Sequence, residues 1–287
     1  MSYLLFFSKS VIDASNVKAK VLDLTSMSID GEFLYSFGIH CFRTKIESFL
    51  TRETLIGLRS HFVSEKIDIL QISHLIPKNS NSIAVFDMDS TVIKEEVIDE
   101  LARLHGVYEE VSRVTKEAME GGLSFDEALR KRVANLKGLS SQGFETVANQ
   151  LNLNEGMLDL FAHLPSYGCK IAILSGGFTP ILDLFTKKYP VDFYRANFLK
   201  SEDGIFTGEI SGEIVNREKK EFYLNRLLEQ FSIERKNSIA VGDGANDSLM
   251  LNASGVGIGF HAKSGLKSEI SNWVDFVGMQ AVLFLFE

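Results

Sequence analysis

The strongest constraint on this fold is a pattern that occurs three times after residue 80. In each case a short apolar run passes directly into a loop of Asp, Ser, Gly or Asn. Ile83-Ala84-Val85-Phe86 ends in Asp87-Met88-Asp89, Lys170–Leu174 ends in Ser175-Gly176-Gly177, and Ser238–Val241 ends in Gly242-Asp243-Gly244-Ala245-Asn246-Asp247. Continuous apolar strands of this length suit a parallel sheet buried on both faces. Such a sheet binds ligands beyond the carboxyl ends of its strands. Helical patterns alternate with these runs, so crossover helices and a Rossmann-like α/β layer are expected. Taken singly, Asp-Met-Asp and Ser-Gly-Gly are ordinary turns, and an Asn/Asp-rich loop often only caps a helix. Three such loops at one sheet edge make a candidate site. Two carboxylates one residue apart repel unless a cation or a shared proton relieves them.

The interval between the first two runs is too long and too helical for one crossover. Helices are expected over Glu95–His105, Glu109–Glu120, Ser124–Leu136 and Ser141–Gln150, forming an inserted helical cap over about 94–165. A second insertion, Phe198–Ile214, alternates and contains Asp203-Gly204, which predicts a β-hairpin. A polar segment from Ile76 to Ser82 carries one of the chain's four prolines and reads as a linker. Residues 1–76 before it read as a small α+β domain and residues 82–287 as the main domain. In the first, Leu4–Phe7, Leu34–Phe42 and Ile67–Ile72 have strand character and Arg52–Glu65 is helical. Regulation, pairing of two chains as a homodimer, and simple packing are all open to residues 1–76.

A net charge of −8 argues against general affinity for nucleic acid or an anionic membrane surface. No stretch nears the roughly 18 apolar residues of a membrane helix. The run beginning at Met1 has no basic leader and is too short for a secretory signal. Cys41 and Cys169 are isolated, as in a reducing compartment, and both read as small buried hydrophobes. Cytoplasm is the expected location. His40, His61, His74, His105, His163 and His261 are scattered and build no soft-metal site. The apolar Ala281–Phe286 is expected to dock on the core as a terminal helix or strand.

Lysine supplies a fourth element. Glu218-Lys219-Lys220 opens a helix, Glu221–Phe231, between the second and third loops, where a cation completes a phosphate cradle. In this order, Asp87-Met-Asp89-Ser-Thr, Ser175-Gly-Gly-Phe, Lys220 and Gly242-Asp-Gly-Ala-Asn-Asp resemble the four motifs of the haloacid dehalogenase superfamily of phosphohydrolases. Phe86-Asp-Met-Asp-Ser-Thr-Val-Ile, Glu96-Val-Ile-Asp-Glu-Leu-Ala, Thr115-Lys-Glu-Ala-Met-Glu-Gly, Leu129-Arg-Lys-Arg-Val and Val241-Gly-Asp-Gly-Ala-Asn-Asp resemble its phosphoserine phosphatase branch. The likeness runs from about residue 82 to near 278. Residues 1–76 resemble only loosely the regulatory-type α+β domain of some bacterial members.

The resemblance implies Mg²⁺-dependent hydrolysis of O-phospho-L-serine through an aspartyl-phosphate, the last step of serine biosynthesis. Asp87 would be the nucleophile, and Asp89 the general acid and then the general base. Mg²⁺ would be held by the carboxylates of Asp87 and Asp243 and the backbone carbonyl of Asp89, with Asp247 orienting the site. Ser175, the Gly176 N–H, Lys220 and Asn246 would bind the phosphate and substrate, with Lys219 a rival for the lysine role. Glu96 would receive the ammonium and Arg132 the carboxylate, under an apolar lid of Met119 and Phe125. Read without the resemblance, Glu96 is a first-turn helix acid, Arg132 an exposed helix cation, and the lid pair core. Two alternatives stay open: a phosphatase or phosphotransferase for another small phosphomonoester, and an idle binding protein on the same fold. The intact Asp87, Asp89, Lys220 and Asp243 weigh against the second.

Overall fold

The computed structural model describes residues 2–287, and the side chain of Met119 lies outside the described set. The N-terminal part runs β1 (Ser2–Ser8), α1 (Ala14–Thr25), β2 (Gly31–Ser36), β3 (Ile39–Ile46), α2 (Arg52–Phe62) and β4 (Asp68–Ile72). Its strands pair antiparallel in the order β2-β3-β1-β4, the split βαβ arrangement. The single strand expected over 34–42 is two. Phe37 and Gly38 adopt φ of 52° and 73°, and successive positive φ values make the tight turn that a right-twisted hairpin needs. Phe-Gly lacks the Asn/Asp-Gly signature, which hid the turn. Helix α1 was not expected either. Only Val17 and Val21 are buried along it, too few to set a periodic stripe, and the Asp13 carboxylate caps it by accepting from Ser15 N–H at 2.9 Å.

Strands β5 (Ser82–Phe86), β6 (Cys169–Phe178), β9 (Ser238–Gly242) and β10 (Val256–Phe260) form the parallel centre, with β7 (Phe193–Glu202) beside β6. Both faces of the centre are covered. Ile83 and Val85 pack into one core and Ala84 and Phe86 into the other, as alternation along a pleated strand dictates. Helices α3 (Val97–His105), α4 (Tyr108–Met119), α5 (Phe125–Ala134) and α6 (Ser141–Gln150) fill the first insertion, each within a few residues of its expected range. A bridge between Ile93 and Leu153 ties the insertion's two ends, and α7 (Met157–His163) leads back to the sheet. After α8 (Thr179–Phe185), β7 and β8 (Ile205–Ser211) make the hairpin, turning at Asp203-Gly204. The hairpin leans on the cap, with Phe206 N–H donating to Leu139 O at 2.8 Å. Helix α9 (Arg217–Gln230) precedes β9; α10 (Ser248–Ala253) and α11 (Ser264–Glu269) flank β10; β11 (Trp273–Val274) follows. The end of the chain docks on the core as 3₁₀ turns, Met279–Leu285.

Among the described residues all eleven strands belong to one sheet, ordered β2-β3-β1-β4-β11-β10-β9-β5-β6-β7-β8. The seam is β4 against β11, sealed by buried polar groups. Asp68 accepts the N–H groups of Asp275, Phe276 and Val277 at 2.8, 2.8 and 3.0 Å. Arg59 of α2 stacks over Trp273, 4.0 Å to the ring centre, and donates to the carbonyl oxygens of Trp273, Ile69 and Ser271. Leu5 and Phe7 of β1 share a core with β5 and β6. Trp273 is the only tryptophan in the chain, so it reports on this seam. Arg59→Ala is expected to red-shift Trp273 emission and to cost about 2–4 kcal/mol, the loss of a buried cation–π contact and charged hydrogen bonds. Unchanged emission with unchanged urea midpoint would show that the seam does not depend on this cation.

Candidate active site

Strand β5 delivers Asp87 at its carboxyl end, and pairing with β9 continues one residue further through Asp87 N–H to Val241 O at 2.9 Å. The Asp87 carboxylate then caps the turn that follows, accepting from Met88 N–H at 2.7 Å. Ser90, with φ of 57°, bends the chain back so that Asp89 faces the same space as Asp87. Asp89 accepts from Val97 N–H at 3.0 Å, at the start of α3. Burial pushes its carboxyl well above the usual range, and the charges of Glu96 and Asp87 push it further.

The second loop is the end of β6, where the register with β7 slips between Leu174 and Phe178. Ser175 Oγ accepts from Gly177 N–H at 2.8 Å. A Cβ on Gly177 would lie 2.9 Å from Asp89 Oδ2 and 3.0 Å from Ser175 Oγ, so the close approach of the first two loops requires glycine there. Asn197 of β7, fully buried, donates to the carbonyl oxygens of Gly176 and Gly177 at 2.7 and 3.2 Å and accepts from Val215 N–H at 2.8 Å. Sequence reading missed Asn197, because a lone Asn inside a strand carries no signal of its partners.

In the third loop Asp247 is fully buried, with every oxygen engaged. Oδ1 accepts from Lys220 Nζ at 2.7 Å, and Oδ2 accepts from Asp243 N–H and Gly244 N–H at 3.2 and 3.1 Å. Burial raises its carboxyl, as does Asp87, against the pull of Lys220. A Cβ on Gly242 would meet the Asp247 carboxyl at 2.4 Å, so the loop folds this tightly only around glycine. Lys220, in the first turn of α9 and 0% exposed, also reaches Asp87 Oδ1 at 2.6 Å. Burial alone would lower this ammonium; Asp247 and Asp87 override it and hold it above its ordinary value. Lys219 points elsewhere and pairs with Glu213.

Asp243 is buried too, its carboxyl raised to about 6 by desolvation and then by Asp87, with Lys263 opposing. Asp87, Asp243 and Asp247 each offer an oxygen within 4.8 Å of the others, a set able to hold a metal ion. All its donors are hard carboxylate oxygens, which fits a magnesium-type cation and not a thiolate- or imidazole-seeking one. With Asp247 fully committed to Lys220 and two N–H groups, Asp87 and Asp243 are the carboxylates left to face it.

A cavity of about 260 Å³ opens over these groups, lined by Asp87, Asp89 and Asp243 from the sheet and Glu96, Phe125 and Arg132 from the cap. Gly176 and Asn246 line it as well, whereas Ser175 and Lys220 sit just behind the wall. Glu96, at the entry to α3, accepts from Ser90 Oγ at 2.9 Å. Arg132 has a buried Nε without a hydrogen-bond partner among the described residues. Burial lowers its guanidinium, while Glu96, Asp99 and Asp89 hold it up. The expected lid is half described. Phe125 closes over the loop, its ring 3.2 Å from where a Gly176 Cβ would be, and the Met119 side chain is outside the described residues. Sequence reading also missed Asp99, Thr115 and Lys263 on the cavity wall. Lys263 had a signal available, since it follows a fourth parallel strand, β10, but Gly257 and Gly259 interrupt that apolar run.

Paired carboxylates at one strand end, a hydroxyl-glycine loop at the next, and a buried lysine tied to both acidic loops define a phosphohydrolase of the haloacid dehalogenase type. The family model for haloacid dehalogenase-like hydrolases matches residues 84–252, and the chain belongs to that family. Among its relatives, the phosphoserine phosphatase of Haemophilus influenzae is 40% identical over 220 residues, covering 77% of this chain and 70% of that protein. That of Archaeoglobus fulgidus is 38% identical over 76% of this chain and 64% of its own length. The Idiomarina loihiensis phosphoserine phosphatase is 41% identical over 67% of this chain and 87% of its own. Among solved structures, a HAD family hydrolase from Salmonella enterica serovar Typhi superposes over 100% of this chain and 99% of its own, with TM-score 0.90 and 29% identity. A substrate-bound phosphoserine phosphatase covers 73% of this chain and 100% of its own, with TM-score 0.68 and 35% identity. No described helix is long and apolar enough to cross a membrane.

Proposed function

We propose that this chain is a phosphoserine phosphatase, hydrolysing O-phospho-L-serine to serine and phosphate with Mg²⁺, and so closing serine biosynthesis. Two neighbouring carboxylates with different surroundings carry the reading. Asp87 is salt-bridged to Lys220, while Asp89 is pushed toward its protonated form within the same cavity. That split assigns nucleophile and acid. Asp87 attacks phosphorus; the bond to the seryl oxygen breaks, and Asp89 gives that oxygen its proton. Asp89, now a carboxylate, takes a proton from water, whose oxygen attacks the phosphorus of the acyl-phosphate. Phosphate leaves, and the Asp87 carboxylate is restored.

Mg²⁺ would be held by Asp87 and Asp243 and by the Asp89 carbonyl, supplying charge neutralisation for the phosphoryl oxygens. Ser175 Oγ, the Gly176 N–H, Lys220 and Asn246 add fixed donors for the same oxygens. Two of the three Lys220 hydrogens are engaged with Asp87 and Asp247, leaving one for the phosphate. Glu96 takes the ammonium and Arg132 the carboxylate, so the cap carries specificity.

A phosphate-release screen over small phosphomonoesters tests this. Turnover of L-phosphoserine that needs Mg²⁺ and stops with chelator is expected; turnover of another phosphomonoester with phosphoserine untouched would overturn it. Arg132→Ala is expected to lower kcat/KM for phosphoserine by about 10²-fold or more, since the carboxylate loses its clamp in a desolvated site. Phosphoethanolamine, which lacks the carboxylate, should be hydrolysed by parent and variant at similar rates.

A further inference from the structure

Lys263 stands at the N-terminus of α11, at the end of β10, and its backbone N–H donates to the Asp243 carbonyl at 2.9 Å. Its ammonium lies 2.9 Å from Asp243 Oδ2 and 3.5 Å from Glu96 Oε1. One cation therefore serves two carboxylates from different parts of the fold, Asp243 from the sheet and Glu96 from the cap. The proposed function gives these two carboxylates to different ligands, the divalent cation to Asp243 and the substrate's amino group to Glu96.

We propose that Lys263 couples these two binding events, an inference that rests on the function proposed above. Asp87, Asp89, Glu96 and Asp243 crowd one cavity, and Lys263 offsets their repulsion at the point where sheet and cap groups meet. A ligand cation arriving at either carboxylate competes for the partner of the Lys263 ammonium. The Lys263 side chain is 62% exposed, so its ammonium withdraws into water at small cost. Withdrawal frees both carboxylates together. The first ligand bears the displacement of Lys263, and the second meets a carboxylate already released. The two ligands then tighten each other's binding by the same factor, as reciprocity of coupling requires. Without Lys263, the ammonium and the divalent cation would simply repel. The sign of the coupling thus separates this role from a general charge effect.

Calorimetric titration of the full chain reads this without turnover. Mg²⁺ is titrated with and without saturating L-serine, and L-serine with and without Mg²⁺. In the parent each ligand should tighten the other about 5–20-fold, and 3-hydroxypropanoate, which lacks the amino group, should leave Mg²⁺ affinity unchanged. In Lys263→Met, Mg²⁺ alone should bind more tightly than to the parent, and the mutual factor should fall to one or below. Lys263→Arg should keep a factor above one. Lys263→Gln is the second variant if the Met form does not fold. A Met or Gln variant that keeps the parent's factor would overturn the role of Lys263 while leaving the function intact. L-serine that does not tighten Mg²⁺ on the parent would overturn the coupling alone, whereas L-phosphoserine left untouched in the phosphate-release screen would overturn the function and the coupling with it.

Discussion

Asp87→Asn is expected to release phosphate from phosphoserine at least about 10⁴-fold more slowly than the parent, the scale on which removing a covalent nucleophile acts. The amide oxygen still accepts the Met88 N–H and faces Lys220, so the turn after β5 should keep its shape. What disappears is the anionic oxygen able to bond phosphorus. Acid quench during turnover of ³²P-labelled phosphoserine should trap label on the parent and none on the variant. Asp89→Asn behaves differently in this scheme. Its loss of the transferable proton slows both halves, by about 10²–10⁴-fold for a general acid–base group, but Asp87 remains phosphorylatable. Label trapped on Asp89→Asn and absent from Asp87→Asn would separate the two roles. Label trapped on Asp87→Asn would assign the nucleophile to another residue.

The parts of the site that were legible in the chain are those where the fold itself writes a pattern. Buried parallel strands must be short apolar runs, and the loops beyond them must carry the chemistry, so Asp87, Ser175 and Asp243 stood out by position alone. Glu96 and Arg132 carry no such mark. Glu96 is the residue that enters α3 and Arg132 a cation on α5, and only the family resemblance singled them out. Lys219 and Lys220 are adjacent in the chain, and consecutive helical residues point about 100° apart. The two therefore meet different surroundings, and the packing of α9 turns Lys220 inward. Asn197 carried no local signal, and that of Lys263, its place after β10, was broken by Gly257 and Gly259. Their partners lie far away in sequence, Asn197 on the Gly176–Gly177 loop and Lys263 on Glu96 of the cap. The seam at β4 and β11 is similar. Neither the buried Arg59 nor the three N–H groups on Asp68 follow from any local period, so the chain gave no sign of the shared sheet.

Lys220→Met should be the most destabilising substitution in the site. The side chain is fully buried and its ammonium is the shared counter-ion of Asp87 and Asp247. Methionine fills most of the volume, so packing loss is small, but two carboxylates are left facing each other in a dry pocket. Removing one partner of a buried ionic cluster costs about 3–5 kcal/mol, which for a chain of this size lowers Tm by roughly 10 °C. The pH dependence distinguishes charge from packing. Asp247 is already raised by burial against the pull of Lys220, and deleting that pull raises it further. A folded-state carboxyl raised above its unfolded value of about 3.9 favours the folded state below that pH, and this contribution is lost as pH rises through the folded value. The deficit in Tm relative to the parent, measured in chelator, should therefore be small near pH 4 and widen toward pH 8. Magnesium should recover part of it at high pH by taking over the charge of Asp87. A deficit that is constant across this range would mean that Lys220 holds the loops by shape, and that the two acidic groups do not need its charge.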